Sequence, residues 1–184
     1  MTSVKLTPSA ARGILVLGLA ATGKDLAIEN SDSVLTAAQL KVLTASLTAM
    51  KAVATVDSTI KVPDAQFGII LFTGLGEKSK SYKHETLRRA AGAAARALVG
   101  EEAATFALPH SNTLELSAIA EGAALGAYTF HEFRGTSKNE HRPSLKSINV
   151  LTRQAKETSA KSVAARAEII SDRTAIAKRN GRSN

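Results

Sequence analysis

The chain has 184 residues, a formal net charge of +8 at neutral pH and no cysteine. Its length suits one domain of ordinary size, and the lack of cysteine excludes a disulfide, a thiolate nucleophile and a zinc site of the cysteine type, in keeping with a cytoplasmic protein. Hydrophobic residues make up 44% and aromatic residues 4%, with no Trp, so the core has to be built from Ala, Leu, Ile and Val, which suit close helix-on-sheet packing.

After a loose start through Pro8, Gly13 to Leu19 is apolar on both faces and predicts a buried strand of a parallel sheet. Arg12 and the apolar run behind it imitate a secretory signal. The run is too short and begins too far in, however, and no segment approaches the roughly 20 apolar residues that cross a bilayer. A turn or loop is expected through Asp32. From Thr36 to Met50, Leu40, Leu43, Leu47 and Met50 recur at three- and four-residue spacing and predict an amphipathic helix. Val53 to Val62 reads as a strand ended by Pro63. Phe67 to Thr73 reads as a second buried strand, with Gly74 and Gly76 turning the chain sharply.

A helix follows from about Tyr82 to Val99, its stripe made of Leu87, Ala90, Ala91, Ala94 and Leu98. Glu102 to Leu108 is a third strand closed by Pro109, and Ser111 or Asn112 is placed to cap a helix from Thr113 to about Gly126. Phe130 to Phe133 and Leu145 to Leu151 read as strands around a polar loop, Arg134 to Ser144. The last helix runs from about Arg153 into the 170s, with Val163, Ala167 and Ile170 inward. Strands alternating with helices predict an α/β sandwich with a largely parallel or mixed sheet. The expected division is a loose segment over 1–12, one domain over 13–172 and a basic tail over 173–184.

Several motifs fail on their chemistry. Gly18 to Asp25 nearly spells a phosphate-binding loop, but the loop needs a hydroxyl for magnesium where Asp25 stands, so a strand followed by a turn is the better reading. His131-Glu132 opens like a zinc protease signature, yet position 135 is Gly rather than the second His. No catalytic or metal-ligating residue is assigned. Two binding candidates remain. Lys78, Lys80, Lys83, Arg88 and Arg89 crowd the segment after Gly76 and suit contacts to the phosphates of duplex DNA. Gly74 and Gly76, between strand and helix, would offer free backbone amides to an anion such as ADP-ribose. Further basic groups, Arg134 to Lys146 and Arg173 to Arg182, are read as solvated faces.

Two stretches carry a family likeness. Gly68 to Arg96, GIILFTGLGEKSKSYKHETLRRAAGAAAR, joins a buried strand, a Gly-Leu-Gly turn, a basic linker and an alanine-rich helix. Glu121 to Arg134 has Gly122 and Gly126 for close helix contact and Tyr128, Phe130 and Phe133 as bulky anchors. Both resemble the amino-terminal domain of the leucyl aminopeptidase (cytosol aminopeptidase) family. The resemblance implies a macro-domain-like three-layer α/β sandwich. It also implies a parent enzyme that removes amino-terminal residues from peptides with two divalent metal ions held in a separate catalytic domain. Neither the Lys- and Asp-containing stretch nor the Asn-Thr-Asp-Ala-Glu-Gly-Arg stretch that carries those ligands occurs before Asn184, so this chain is expected to be non-catalytic. Its implied role is to support oligomer assembly, with the catalytic domain or a second copy as partner and no membrane. Duplex DNA binding, which the likeness to some bacterial relatives also suggests, and ADP-ribose binding at Gly74 and Gly76 are the alternatives.

Overall fold

The computed structural model describes residues 2–127 and 143–180. In chain order the elements are β1 (Ser3–Thr7), β2 (Gly13–Thr22), β3 (Asp25–Glu29), a 3-10 turn at Ser31–Ser33, α1 (Ala37–Ala49), β4 (Thr59–Asp64), β5 (Gly68–Glu77), α2 (His84–Ala97), β6 (Ala103–Ala107), α3 (Thr113–Ala127), β7 (Ser147–Leu151) and α4 (Thr158–Asn180). They form one mixed, mostly parallel seven-stranded sheet of order β1-β7-β6-β2-β5-β4, with β3 hairpinned onto β2. The fold is therefore the expected α/β sandwich.

Alternation along the central strands sorts the side chains into two cores. Leu15, Leu17, Leu19, Ile70 and Phe72 pack with Leu43 and Leu47 of α1, while Val16, Leu71, Phe106, Ile148 and Val150 pack under α2, α3 and α4. Because both faces are covered, β2 and β5 are buried over six consecutive residues each, which is why they read as unbroken apolar runs. α1 begins with a full capping box: Thr36 Oγ1 accepts from the Gln39 amide and Gln39 Oε1 accepts from the Thr36 amide, at 3.3 and 2.9 Å. Such a cap contributes about 1 kcal/mol. Met50, expected on the apolar stripe, is the C-cap and is exposed.

Four local expectations are corrected. The first residues are not loose: β1 pairs in parallel with β7, and the Val4 amide on its free side donates to Glu168 of α4 at 2.7 Å. An edge strand covered in this way gains partners that only the distant carboxyl-terminal elements supply. Nor is the stretch after β2 a loop, since Thr22 pairs with Asp25 across a two-residue turn in which Gly23 has φ +61°. β4 starts at Thr59 rather than Val53 and runs through Pro63, tolerated because β4 lies at the sheet edge. Finally, α4 continues to Asn180, through most of the segment expected as a tail. The expected strand Phe130 to Phe133 lies outside the described residues.

Glycine sets the closeness of α2 and α3. A Cβ on Gly122 would stand 2.2 Å from the Arg88 carbonyl oxygen, and one on Gly126 would stand 2.3 Å from that of Gly92. The two helix backbones are thus in direct contact, as the sequence reading expected for Gly122 and Gly126. The alanines of α2 are buried on nearly every side because the sheet takes one face and α3 the next.

Candidate functional site

The strand order reverses at β2: the chain moves outward to β5, then returns over β2 through α2 to β6. Crevices outside the carboxyl ends of strands at such reversals are the usual ligand positions of open α/β sheets. Here the crevice is a polar pocket of about 170 Å³, walled by residues 80–82 after β5, residues 109–111 after β6, Asp32 and Glu115.

Glu115 is its most informative side chain. It is 3% exposed, and the Asn112 side chain, as N-cap of α3, accepts from its amide at 2.9 Å. The carboxylate accepts from the Ser111 amide at 2.6 Å, from Ser111 Oγ at 3.0 Å and from Ser81 Oγ at 2.8 Å. Burial, the largest single influence, works against its charge. The bonds from Ser111 and Ser81 and the nearby charge of His84 outweigh it and hold the carboxyl below its ordinary value of 4.5. The helix amino terminus favours the same charged state. Glu115 therefore ties the β5–α2 loop to the start of α3. Beside it Tyr82 donates to Glu29 at 2.9 Å; burial first, then the bond to Glu29 and its charge, push the phenol up to about 12 against the lowering effect of the Ser79 amide. It is not an acid–base group near neutral pH.

The Glu115 latch has a pH signature. Its folded-state value lies below the unfolded one, so the unfolded chain binds this proton first and stability falls as pH drops from about 4.5 through the folded value. Glu115→Gln is expected to show a shallower loss of thermal stability over that acid window than the wild type, with no such difference between pH 6 and 8. Thermal melts across the range check this.

The basic cluster divides. Arg88 is bound to Glu85 at 2.8 Å and to the buried Glu121 at 3.3 Å, and Arg89 is bound to Asp57. Glu121 also receives Ser117 Oγ at 2.9 Å and Arg166 at 3.5 Å, so it fastens α2, α3 and α4 together. Lys78, Lys80 and Lys83 are exposed and have no ion pair among the described residues. The five cations therefore share a region, with the two arginines held by carboxylates and three lysines left toward solvent.

Gly74 and Gly76 are not in a turn. Both lie inside β5, and their amides donate to the carbonyls of Ser58 and Ala54 at 3.0 and 2.7 Å. A bulge opposite Leu19 and Ala20 points Leu75 into the core between them. The free amides on which anion binding there was premised are already bonded, because residues 54–58 run along the edge of β5 beyond β4. The near phosphate-binding loop is the β2–β3 hairpin, so no helix starts behind Lys24. His84 is exposed and His110 contacts the Leu108 carbonyl at 3.0 Å, while His131 and His141 lie outside the described residues. Among the described residues no group of three His, Asp or Glu side chains is placed to hold a metal ion. Nor is any helix among them long and apolar enough to cross a membrane.

Glu115 was missed in the sequence although Asn112 stands three residues before it, the spacing of a capped helix start. Glu121 carried no such signal, since a carboxylate on an alanine-rich helix reads as solvated until its neighbours are known.

Comparison with known proteins gives this arrangement a family. Residues 16–137 match the cytosol aminopeptidase family, N-terminal domain, and the chain belongs to that family. A probable cytosol aminopeptidase of Rhodococcus opacus is 32% identical over 171 residues, 90% of this chain and 33% of that protein. One of Streptomyces griseus subsp. griseus is 49% identical over 70 residues, 36% of this chain and 14% of that protein. The chain thus spans a third or less of these relatives. Among solved structures, a point mutant of tomato leucine aminopeptidase superposes with a TM-score of 0.70 at 18% identity, covering 94% of this chain and 36% of that one. The bottromycin maturation enzyme BotP does so with a TM-score of 0.59 at 21% identity, covering 91% and 32%, and has also been solved in complex with Mn. These structural likenesses speak for the fold.

Proposed function

We propose that this chain acts as the non-catalytic amino-terminal domain of a leucyl aminopeptidase-like metallopeptidase, supporting the oligomer in which the parent enzyme removes amino-terminal residues from peptides. The observation that carries the reading is the extent of the match: 90% of this chain aligns to 33% of the Rhodococcus opacus protein. What aligns is a two-core sandwich, and the Ser81 and Ser111 hydroxyls in the polar pocket at its strand ends donate to the Glu115 carboxylate. Two divalent ions belong, in this reading, to the catalytic part of the parent enzyme. Contact with that part is the chain's expected partnership, and Ile169, 53% exposed on α4, is an apolar group available to it.

The test is reconstitution. The remainder of the Rhodococcus opacus relative, produced separately, is mixed with this chain and the complex is sized by light scattering. A stable heteromeric complex larger than one copy of each supports the assembly role. Two species that elute unchanged at micromolar concentration contradict it.

A further inference from the structure

A second basic feature lies on the outer side of the α2–α3 crossing, away from the polar pocket. It is a groove of about 250 Å³ lined by Gly92, Gly122 and Gly126 and by Arg88, Arg89 and Arg96, with the Asp57 carboxylate also in its wall. The arginines differ in what holds them. Arg88 is spent on Glu85 and Glu121. Arg89 turns Nε and one terminal nitrogen to the same oxygen of Asp57, leaving its other terminal nitrogen without a partner among the described residues. Arg96 has no carboxylate and no hydrogen-bond partner among them, yet its Nη1 lies 3.3 Å from where a Cβ of Gly92 would be.

Helix geometry puts these two arginines on one side of α2, where both line the groove. Positions 89, 92 and 96 share one stripe of α2, about 10 Å from end to end, and the missing side chain at 92 leaves a gap between two long guanidinium arms. The Arg89–Asp57 pair is exposed and contributes little to stability, so its guanidinium is available to a stronger anion. Guanidinium forks match the oxygens of phosphate in two-point contacts. The groove is smaller than the roughly 300 Å³ at which pockets for drug-sized ligands begin, so it fits a compact anion better than a whole nucleotide. Placement at the carboxyl end of α2 also explains a cation at 96 through the helix dipole. The helix crossing accounts for Gly92 itself, and the small residue there also lets the Arg96 guanidinium lie close to the helix backbone.

We propose that Arg96 and Arg89, closing over Gly92, form a binding site for a single phosphate group, either inorganic phosphate or the head of a small phosphate ester. Asp57 exchanges or shares Arg89 when the site fills. The proposal does not depend on the assembly role and leaves Lys78, Lys80 and Lys83 outside the site.

The experiment titrates inorganic phosphate into the full chain at constant ionic strength, following the melting temperature and heat of binding, with chloride as the control salt. The site predicts a saturable stabilisation by phosphate beyond that of chloride. Arg96→Gln should weaken apparent affinity about tenfold or more, the loss of a charge-assisted contact, while Lys61→Ala leaves it unchanged. Gly92→Ala keeps every arginine but fills the gap, and should weaken binding as much. Melts without ligand establish that each variant is folded, and Arg96→Lys, which keeps charge without the fork, should be intermediate. No saturable effect beyond chloride, or full affinity in Arg96→Gln or Gly92→Ala, overturns the site. A duplex DNA arm separates the sources of phosphate: duplex binding that depends on Arg96 without phosphate saturation overturns the single-phosphate pocket in favour of backbone contact.

Discussion

Gly122→Ala is expected to lower the thermal midpoint of the chain by about 6–12 °C. A methyl group there would meet the Arg88 carbonyl oxygen at 2.2 Å and its carbonyl carbon and Cα at 2.8 Å, and all three are helix backbone that no rotamer change can move aside. The helices have to separate, which disturbs the alanine layer of α2 against α3 and the bonds from Arg88 and Arg166 to Glu121. Overpacking of this kind costs about 3 kcal/mol, beyond the roughly 1 kcal/mol that Ala gains over Gly in helix propensity. In a domain of this size each kcal/mol moves the midpoint by about 2–4 °C. Gly92→Ala is the internal comparison. Its methyl would lie 3.2 Å from the Gly122 carbonyl oxygen and 3.3 Å from a movable guanidinium, so its melt should stay within about 3 °C of wild type. A Gly122→Ala melt equal to that of Gly92→Ala would contradict the direct backbone contact.

Gly74→Ala is the second large effect, and its consequence is local before it is global. The added methyl would stand 1.9 Å from the Thr55 carbonyl oxygen and 2.5 Å from Ser58 Oγ. The 51–58 segment is held to β5 by the Gly74 amide on Ser58 and the Gly76 amide on Ala54, and to α2 by Asp57 on Arg89. Displacing it releases all three contacts at once. Hydrogen exchange should show Gly76 and its neighbours in β5 losing protection while the β2 amides keep theirs, with a stability loss of about 2–4 kcal/mol. Asp57 holds a left-handed φ of +73°, a costly conformation for a residue other than glycine that these contacts help to maintain. Unchanged protection at Gly76 would mean that the segment is anchored elsewhere.

The fold is legible in the sequence where a single local rule decides the structure. β2 and β5 are apolar on both faces because helices cover both, and the stripe expected on α2, Leu87, Ala90, Ala91, Ala94 and Leu98, is buried. It is not legible where the deciding partner is far away in the chain. β1 is five residues of ordinary composition, fixed by β7 and by Glu168, 164 residues on from Val4. Pro63 looked like a stop because an edge strand cannot be told from a central one in sequence. Gly74 and Gly76 looked like a turn because glycine permits one, whereas they are required here by the close approach of Thr55 and by the φ of +80° at Gly76. The basic cluster was legible as composition, but the division into arginines bound by carboxylates and lysines facing solvent depends on Asp57, Glu85 and Glu121. Arg96 and its groove were invisible, since Gly92 and Gly122 meet only through the helix crossing.

The central claim, that this chain is the amino-terminal domain of an aminopeptidase-like protein and leaves the chemistry to another part, is tested most directly by assaying hydrolysis of a leucyl chromogenic substrate with saturating manganese or zinc. The account predicts no turnover above buffer from this chain alone, and turnover once the remainder of a relative is added. Metal-dependent release of leucine by the purified chain on its own would contradict it.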